Sequence, residues 1–78
     1  MPIQLDKLQP GQSASVHRVN GGRGVLRRLE AMGVRPGKLI TKVSSQFMGG
    51  PITVMIDGRY VAMGRGMAAK VTVEPRGN

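Results

Sequence analysis

The fold of this chain is decided by Leu26-Arg27-Arg28-Leu29-Glu30-Ala31-Met32-Gly33-Val34-Arg35-Pro36-Gly37. Apolar residues at positions 25, 29 and 32 recur at the spacing that lines one side of an α-helix, which we expect over residues 24–32. Gly33 follows where a left-handed residue ends a helix, and Val34 is placed to touch Leu29 in a Schellman-type cap. Pro36 and Gly37 then fit the central positions of a type II turn. The stretch therefore predicts one short helix that stops abruptly and turns into a strand.

Alternating patterns on both sides of the helix indicate strands. They cover residues 13–19, 38–47, 52–56, 59–63 and 70–74. The Asp-Gly pair at 57–58 is a strong signal for a hairpin between two of them. About five short strands, with the helix between the first and the second, predict a mainly β fold closed into a small barrel.

The longest alternating run, residues 38–47, shows a clear inner face. We expect Leu39, Thr41, Val43 and Phe47 to face the core, and Lys42, Ser44 and Gln46 to face solvent. This assignment follows from the alternation of the residues along the run.

Length and composition limit the protein to one small domain. With 78 residues and no cysteine, the chain offers no disulfide framework and no thiolate metal site. We expect the domain to span residues 1–75, followed by a flexible tail at 76–78. The first residues lack a signal peptide, and no apolar run is long enough for a membrane span, so we expect a cytoplasmic location and no membrane insertion.

The chain carries few groups that could perform chemistry. One histidine and four carboxylates form no acid–base or nucleophile motif, so we expect no enzyme and no cofactor. They also show no ligand spacing for a metal site within one chain. The remaining metal hypothesis is a weak Fe(II) or Zn(II) site shared between two copies in a weak homo-oligomer. It would use His17 and a carboxylate, although a lone histidine on an outer strand face is more often a surface residue.

Glycines and arginines precede the helix. Gly21-Gly22-Arg23-Gly24 leads into it, and an anion bound there would meet Arg23, Arg27 and Arg28. The Lys-Ser/Thr pair of a P-loop is missing, and loop flexibility is the competing explanation for the glycines.

Three segments together resemble the FeoA family of ferrous iron transport accessory proteins. They are the helix segment 26–37, the hairpin segment Gly49-Gly50-Pro51-Ile52-Thr53-Val54 and the closing segment Ala68-Ala69-Lys70-Val71-Thr72-Val73-Glu74. The resemblance implies an SH3-like barrel in the cytosol that regulates Fe(II) uptake without catalysis. It also implies a partner, the cytoplasmic part of the GTPase-linked membrane transporter FeoB. Family members usually carry acidic residues before the closing Ala, where this chain has Gly64-Arg65-Gly66-Met67.

Large side chains at turn or outward positions are candidates for the contact with that partner. We assign it to Met48, Gly49, Gly50, Pro51, Arg59 and Tyr60, with capping of the barrel end as the competing role.

The alternative function is a basic small-barrel protein that binds nucleic acid through its phosphates. A formal charge of +8 favours polyanions, but the basic residues are spread from Lys7 to Arg76 without a run of three. One Phe, one Tyr and no Trp leave few surfaces on which bases could stack, so nucleic acid is the less favoured partner. The same scarcity argues against recognition of proline-rich peptides.

Overall fold

The computed structural model describes residues 1–45 and 50–76. Its elements, in chain order, are β1 (Ile3–Gln4), a 3-10 turn (Leu5–Lys7), β2 (Ser13–Val19), α1 (Arg23–Ala31), β3 (Leu39–Ser45), β4 (Ile52–Ile56), β5 (Arg59–Met63), α2 (Arg65–Ala68) and β6 (Val71–Pro75). All pairs of neighbouring strands are antiparallel, in the order β1-β6-β2-β3-β4-β5. The expected mainly β, SH3-like architecture is confirmed.

The described residues form six strands where the sequence predicts about five. The additional strand is β1, whose residues Ile3 and Gln4 pair with Val73 and Thr72 of β6. Two residues are too few to show an alternating pattern, so this strand leaves no signal in the sequence. Because β1 precedes it, the helix lies between the second and third strands.

The helix ends as predicted. The amide of Val34 donates to the carbonyl of Leu29 at 2.8 Å, and the amide of Gly33 donates to Glu30 at 2.9 Å. These are the two hydrogen bonds of a Schellman motif, and Gly33 has the φ of +89° that the motif requires. The following turn is closed by Lys38, whose amide donates to the carbonyl of Arg35 at 3.1 Å.

The buried side chains of the described residues form one hydrophobic core inside the sheet. It is sealed by α1 through Leu29, which is fully buried, while Val25 and Met32 pack at its margin. The buried apolar residues are Leu5, Leu8, Ala14, Val16, Leu29, Val34, Ile40, Ile52, Val54, Ile56, Val61, Met63, Ala68, Val71 and Val73. The alternation expected for residues 52–56 and 70–74 is confirmed, and within residues 13–19 it holds for residues 13–16.

The predicted inner face of β3 is wrong. Ile40 and Lys42 point into the core, with 0% and 4% of their surfaces exposed, whereas Leu39 and Val43 are 49% and 38% exposed. A lysine can occupy this position because its ammonium group meets backbone carbonyls and its four-carbon stem packs among apolar side chains. The assignment of Phe47 to the core lies outside the described residues.

Arg76, which follows β6, is the last described residue. The amide of Arg76 donates to the carbonyl of Ser13 at 2.9 Å, so this residue still lies against β2. None of the helices in the described part of the chain is long and apolar enough to span a bilayer.

Candidate functional site

The predicted contact surface lies around the β4–β5 hairpin. Tyr60 is 68% exposed, and Arg59 and Pro51 are also exposed, while Gly50 is half-buried. Met48 and Gly49 lie outside the described residues. The Arg59 guanidinium donates to the Met32 carbonyl at 3.2 Å, so this arginine joins the hairpin to the C-terminal end of α1. A cation at that position also interacts favourably with the helix dipole.

Tyr60 belongs to a larger outer face formed by β3, β4 and β5. Thr41, Met55 and Tyr60 lie in one cross-strand row. The same face continues through Leu39 and Val43, which the sequence places inside. We call this surface the outer sheet face, and its residues are Leu39, Thr41, Val43, Thr53, Met55, Tyr60 and Ala62.

None of the seven side chains that define the outer sheet face is charged, although 21% of the residues in the chain are charged. Tyr60, Leu39 and Val43 are three of the large apolar or aromatic residues that stand out as exposed in the structure. A cluster of uncharged, partly apolar side chains on a small protein's surface is typical of a protein contact.

One edge of the outer sheet face carries an electrostatic cluster. Asp57, in a left-handed conformation with φ of +52°, begins the two-residue turn of the hairpin and accepts a hydrogen bond from Lys38 Nζ at 2.9 Å. This hydrogen bond lowers the pKa of the Asp57 carboxyl, and the charges of Lys38, Arg59 and Arg35 lower it further. Asp57 therefore stays ionised and holds the hairpin tip beside the start of β3.

One cation, Lys42, lies in the interior of the described structure. Lys42 Nζ donates to the carbonyls of Leu8 at 2.7 Å and Asp6 at 3.2 Å, which fastens the chain around the 3-10 turn to β3. Burial lowers the pKa of this ammonium group, the charge of Arg65 lowers it further, and Asp6 opposes the shift. The Asp6 Oδ1 atom is buried and accepts no hydrogen bond from a described residue. Sequence reasoning missed this site because it took Lys42 as an outward residue.

An open groove of about 390 Å³ separates α1 from the end of β2. It is lined by His17, Arg18, Val19, Leu26, Glu30, Val34, Arg35 and Pro36. Sequence reasoning considered His17 here but not the groove, since its walls come from three separate segments.

A β-bulge shapes one wall of this groove. The register of β2 against β6 shifts between Val16 and Arg18, so His17 and Arg18 together lie opposite Thr72. Both side chains are exposed, although a regular strand would turn one of them inward. The bulge therefore places an imidazole and a guanidinium side by side at the groove.

The residues of the predicted metal site and of the predicted anion site lie in different parts of the structure. His17 is exposed as predicted, and no three His, Asp or Glu side chains come together at a metal-sized site within residues 1–45 and 50–76. A weak Fe(II) or Zn(II) site shared between copies stays a prediction. Arg23, Arg27 and Arg28 are all exposed on α1, whose first turn holds no acidic residue. Anion binding there also stays a prediction.

The sequence matches one known family along most of its length. The model of the FeoA domain family matches residues 3–75. A relative from Methanocaldococcus jannaschii, named "Putative Fe(2+) transport protein A", is 33% identical over 64 residues, which cover 82% of this chain and 76% of that protein.

Solved structures share the fold. A crystal structure of FeoA, described as an iron uptake regulatory protein, superposes with a TM-score of 0.91 at 33% identity and covers 97% of this chain and 100% of that one. A manganese-dependent transcriptional repressor superposes with a TM-score of 0.88 at 22% identity and covers 96% of this chain and 42% of the repressor. At that identity the repressor shows the fold alone. The family match and the 33% identical relatives agree, and the chain belongs to the FeoA domain family.

Proposed function

We propose that this protein is a cytosolic accessory protein of ferrous iron uptake. In this proposal it binds the cytoplasmic part of a FeoB-type, GTPase-linked Fe(II) transporter and performs no chemistry of its own. The family match over residues 3–75 supports the connection with iron transport. The names of the relatives, an Fe(2+) transport protein and an iron uptake regulatory protein, point the same way.

The observation that carries the proposal is the outer sheet face. An accessory protein must act through contact, and this face offers uncharged side chains that extend across three strands. Tyr60 is the best anchor on it, because a tyrosine supplies a large contact area with little loss of side-chain freedom. The hydrogen bonds of the β4–β5 hairpin hold Tyr60 in place, so binding would need no rearrangement of the backbone.

The test is binding of the purified protein to the cytoplasmic part of the ferrous transporter from the same organism. We expect Tyr60→Ala to weaken the complex by about tenfold or more, since tyrosine anchors typically contribute about 2 kcal/mol. Tyr60→Phe keeps the ring and should bind nearly as well as the wild type. Arg27→Ala, on the exposed face of α1, is the control for a general loss of positive charge.

Two outcomes would contradict the proposal. Failure of the wild-type protein to bind the transporter fragment would remove the assigned partner. Binding that Tyr60→Ala leaves unchanged would remove the outer sheet face from the contact.

The basic face of α1 favours the second candidate function, binding of nucleic acid through phosphates. Its residues Arg23 and Arg27 lie one helical turn apart, with Arg28 beside them. Such binding would weaken steeply with salt, with a log–log slope near −0.9 for each phosphate contacted in duplex DNA. Absence of salt-dependent retention on DNA and RNA would dismiss this candidate.

A further inference from the structure

We propose that the groove between α1 and the bulged end of β2 binds an extended acidic peptide segment that carries one apolar side chain. The site is separate from the outer sheet face and does not depend on the identity of the transporter. Three features of the groove specify its occupant: an apolar floor, a basic rim and an outward-facing backbone edge at Val19 of β2.

The apolar floor comes from the helix and the turn that follows it. Val34 is buried at the base, and Leu26 and Val19 stand around it with part of their surfaces exposed. Leu26 is 38% exposed, and it lies outside the 25, 29, 32 stripe through which α1 meets the core. The groove, at about 390 Å³, has room for one large aliphatic or aromatic side chain. An apolar anchor on the ligand would cover Leu26.

The rim selects for negative charge. The bulge presents Arg18 next to His17, and Arg35 lies on the turn that closes the other side. One carboxylate, Glu30, also lines the groove, so the two guanidinium groups outweigh it. The chain as a whole carries a formal charge of +8, which adds a favourable long-range attraction for an acidic ligand. Charge complementarity therefore favours carboxylates on both sides of the apolar anchor.

The strand edge favours an extended ligand. The amide of Asn20 donates to the carbonyl of Lys70 at 2.7 Å, so Asn20 faces β6. Because alternate residues of an antiparallel strand face opposite edges, the N–H and C=O of Val19 point away from β6. The Arg35–Gly37 turn lies on that side, since the amide of Gly37 donates to the Val16 carbonyl at 2.8 Å. Outside the pairing with β6, no backbone hydrogen bond joins Val19 to another described residue, so its N–H and C=O offer one donor and one acceptor to a peptide backbone.

The test is a titration of the full chain with the peptide acetyl-Glu-Asp-Glu-Leu-Glu-Asp-Glu-amide, followed by amide NMR spectra. We expect shifts at residues 17–19, 26, 30 and 34–35, because these line the groove. Two matched peptides separate the contributions: one replaces Leu with Ser, and the other replaces every acid with its amide. Both should bind at least about tenfold more weakly, since each lacks one of the two complementary features.

Variants then locate the site. Leu26→Glu places a carboxylate at the anchor position and should weaken binding about tenfold or more, as should Arg18→Gln. Arg23→Gln removes the same charge from the start of α1 and should leave the affinity within about twofold, because Arg23 does not line the groove. The wild-type spectrum is the reference for folding, which these surface changes should preserve.

Four results would overturn the proposal. The first is the absence of shifts with the acidic peptide at millimolar concentration, and the second is equally strong binding of the amide-substituted peptide. Shifts centred on Arg23, Arg27 and Arg28 would assign acidic ligands to the basic helix face instead. The same shifts on addition of single-stranded DNA, with equal affinity, would assign the groove to phosphates.

Discussion

Lys42 shows how one residue can decide the face of a strand. Its stem lies in the core and its ammonium group donates to the Leu8 and Asp6 carbonyls. Those carbonyls lie in the segment that follows β1, so the amine fastens the start of the chain to β3. A buried lysine is tolerated only where such acceptors surround it, because an unpaired charge would cost several kcal/mol.

We predict that Lys42→Met lowers the free energy of unfolding by about 1–3 kcal/mol. Methionine fills a similar volume but leaves a buried carbonyl oxygen without its donor, and an unsatisfied buried polar group costs that much. Urea denaturation measures the effect. Lys38→Met is the matched control, since Lys38 forms an exposed ion pair with Asp57 and such pairs contribute about 0–1 kcal/mol. Equal losses in both variants would contradict the role given to Lys42.

The stability difference between the wild type and Lys42→Met should depend on pH. The pKa of Lys42 is lower in the folded protein than the value of 10.5 expected for an unperturbed lysine. Between these two values the unfolded chain binds more protons, so the stability of the wild type rises with pH. We therefore expect its advantage over Lys42→Met to grow as the pH approaches 10.5. An advantage that shrinks over this range would contradict the lowered pKa.

At the scale of elements, the end of α1 and the β4–β5 hairpin form one unit. Arg59 donates to the Met32 carbonyl, and Asp57 holds Lys38 at the start of β3. Gly33 lies between these groups in the left-handed conformation. A Cβ atom there would lie 3.1 Å from Arg59 Nη2 and 3.5 Å from Asp57 Oδ2.

We predict that Gly33→Ala is more destabilising than Gly37→Ala. Both glycines have positive φ, +89° and +92°, so both substitutions carry a backbone strain of about 1–2 kcal/mol. A Cβ atom at Gly37 meets nothing within 4 Å, whereas one at Gly33 crowds the Arg59 guanidinium. Thermal unfolding of the two variants isolates this difference. Equal melting temperatures would show that the contact between Arg59 and α1 adds no stability.

Much of the secondary structure could be predicted from local patterns. The helix cap, the Pro36-Gly37 turn and the Asp-Gly hairpin each depend on a few neighbouring residues, and the structure confirms them. The face of β3 could not be predicted in this way. Leu39 and Val43 are as suited to burial by their hydrophobicity as Ile40, and Lys42 is less so. The carbonyls that accept the Lys42 hydrogen bonds lie 34 and 36 residues earlier in the chain, so no local pattern reveals them.

Because only local patterns can be predicted from the sequence, sequence analysis finds some residues of the candidate sites and misses others. Tyr60 was predicted as an outward residue, because the hairpin fixes the alternation of β5. The rest of the outer sheet face was missed, since it follows from the orientation of β3. The groove was missed because its walls come from three separate segments, and because the bulge at His17 breaks the alternation on which sequence reasoning depends.

At the scale of the whole molecule, two separate surfaces stand out on a small basic protein. The outer sheet face is uncharged and extends across three strands, while the groove beside α1 is lined by two arginines and an apolar floor. Surfaces of such different chemistry suit partners of different kinds. We expect the first to hold the transporter and the second to take an acidic segment.

The measurement that tests the central claim most directly is hydrogen–deuterium exchange of this protein alone and with the cytoplasmic part of the ferrous transporter from the same organism. The proposed contact predicts slower exchange in peptides covering residues 39–43 and 52–63, with little change across Arg23–Ala31. Absence of protection in the two β segments, or protection confined to the helix, would contradict an accessory function carried by the outer sheet face.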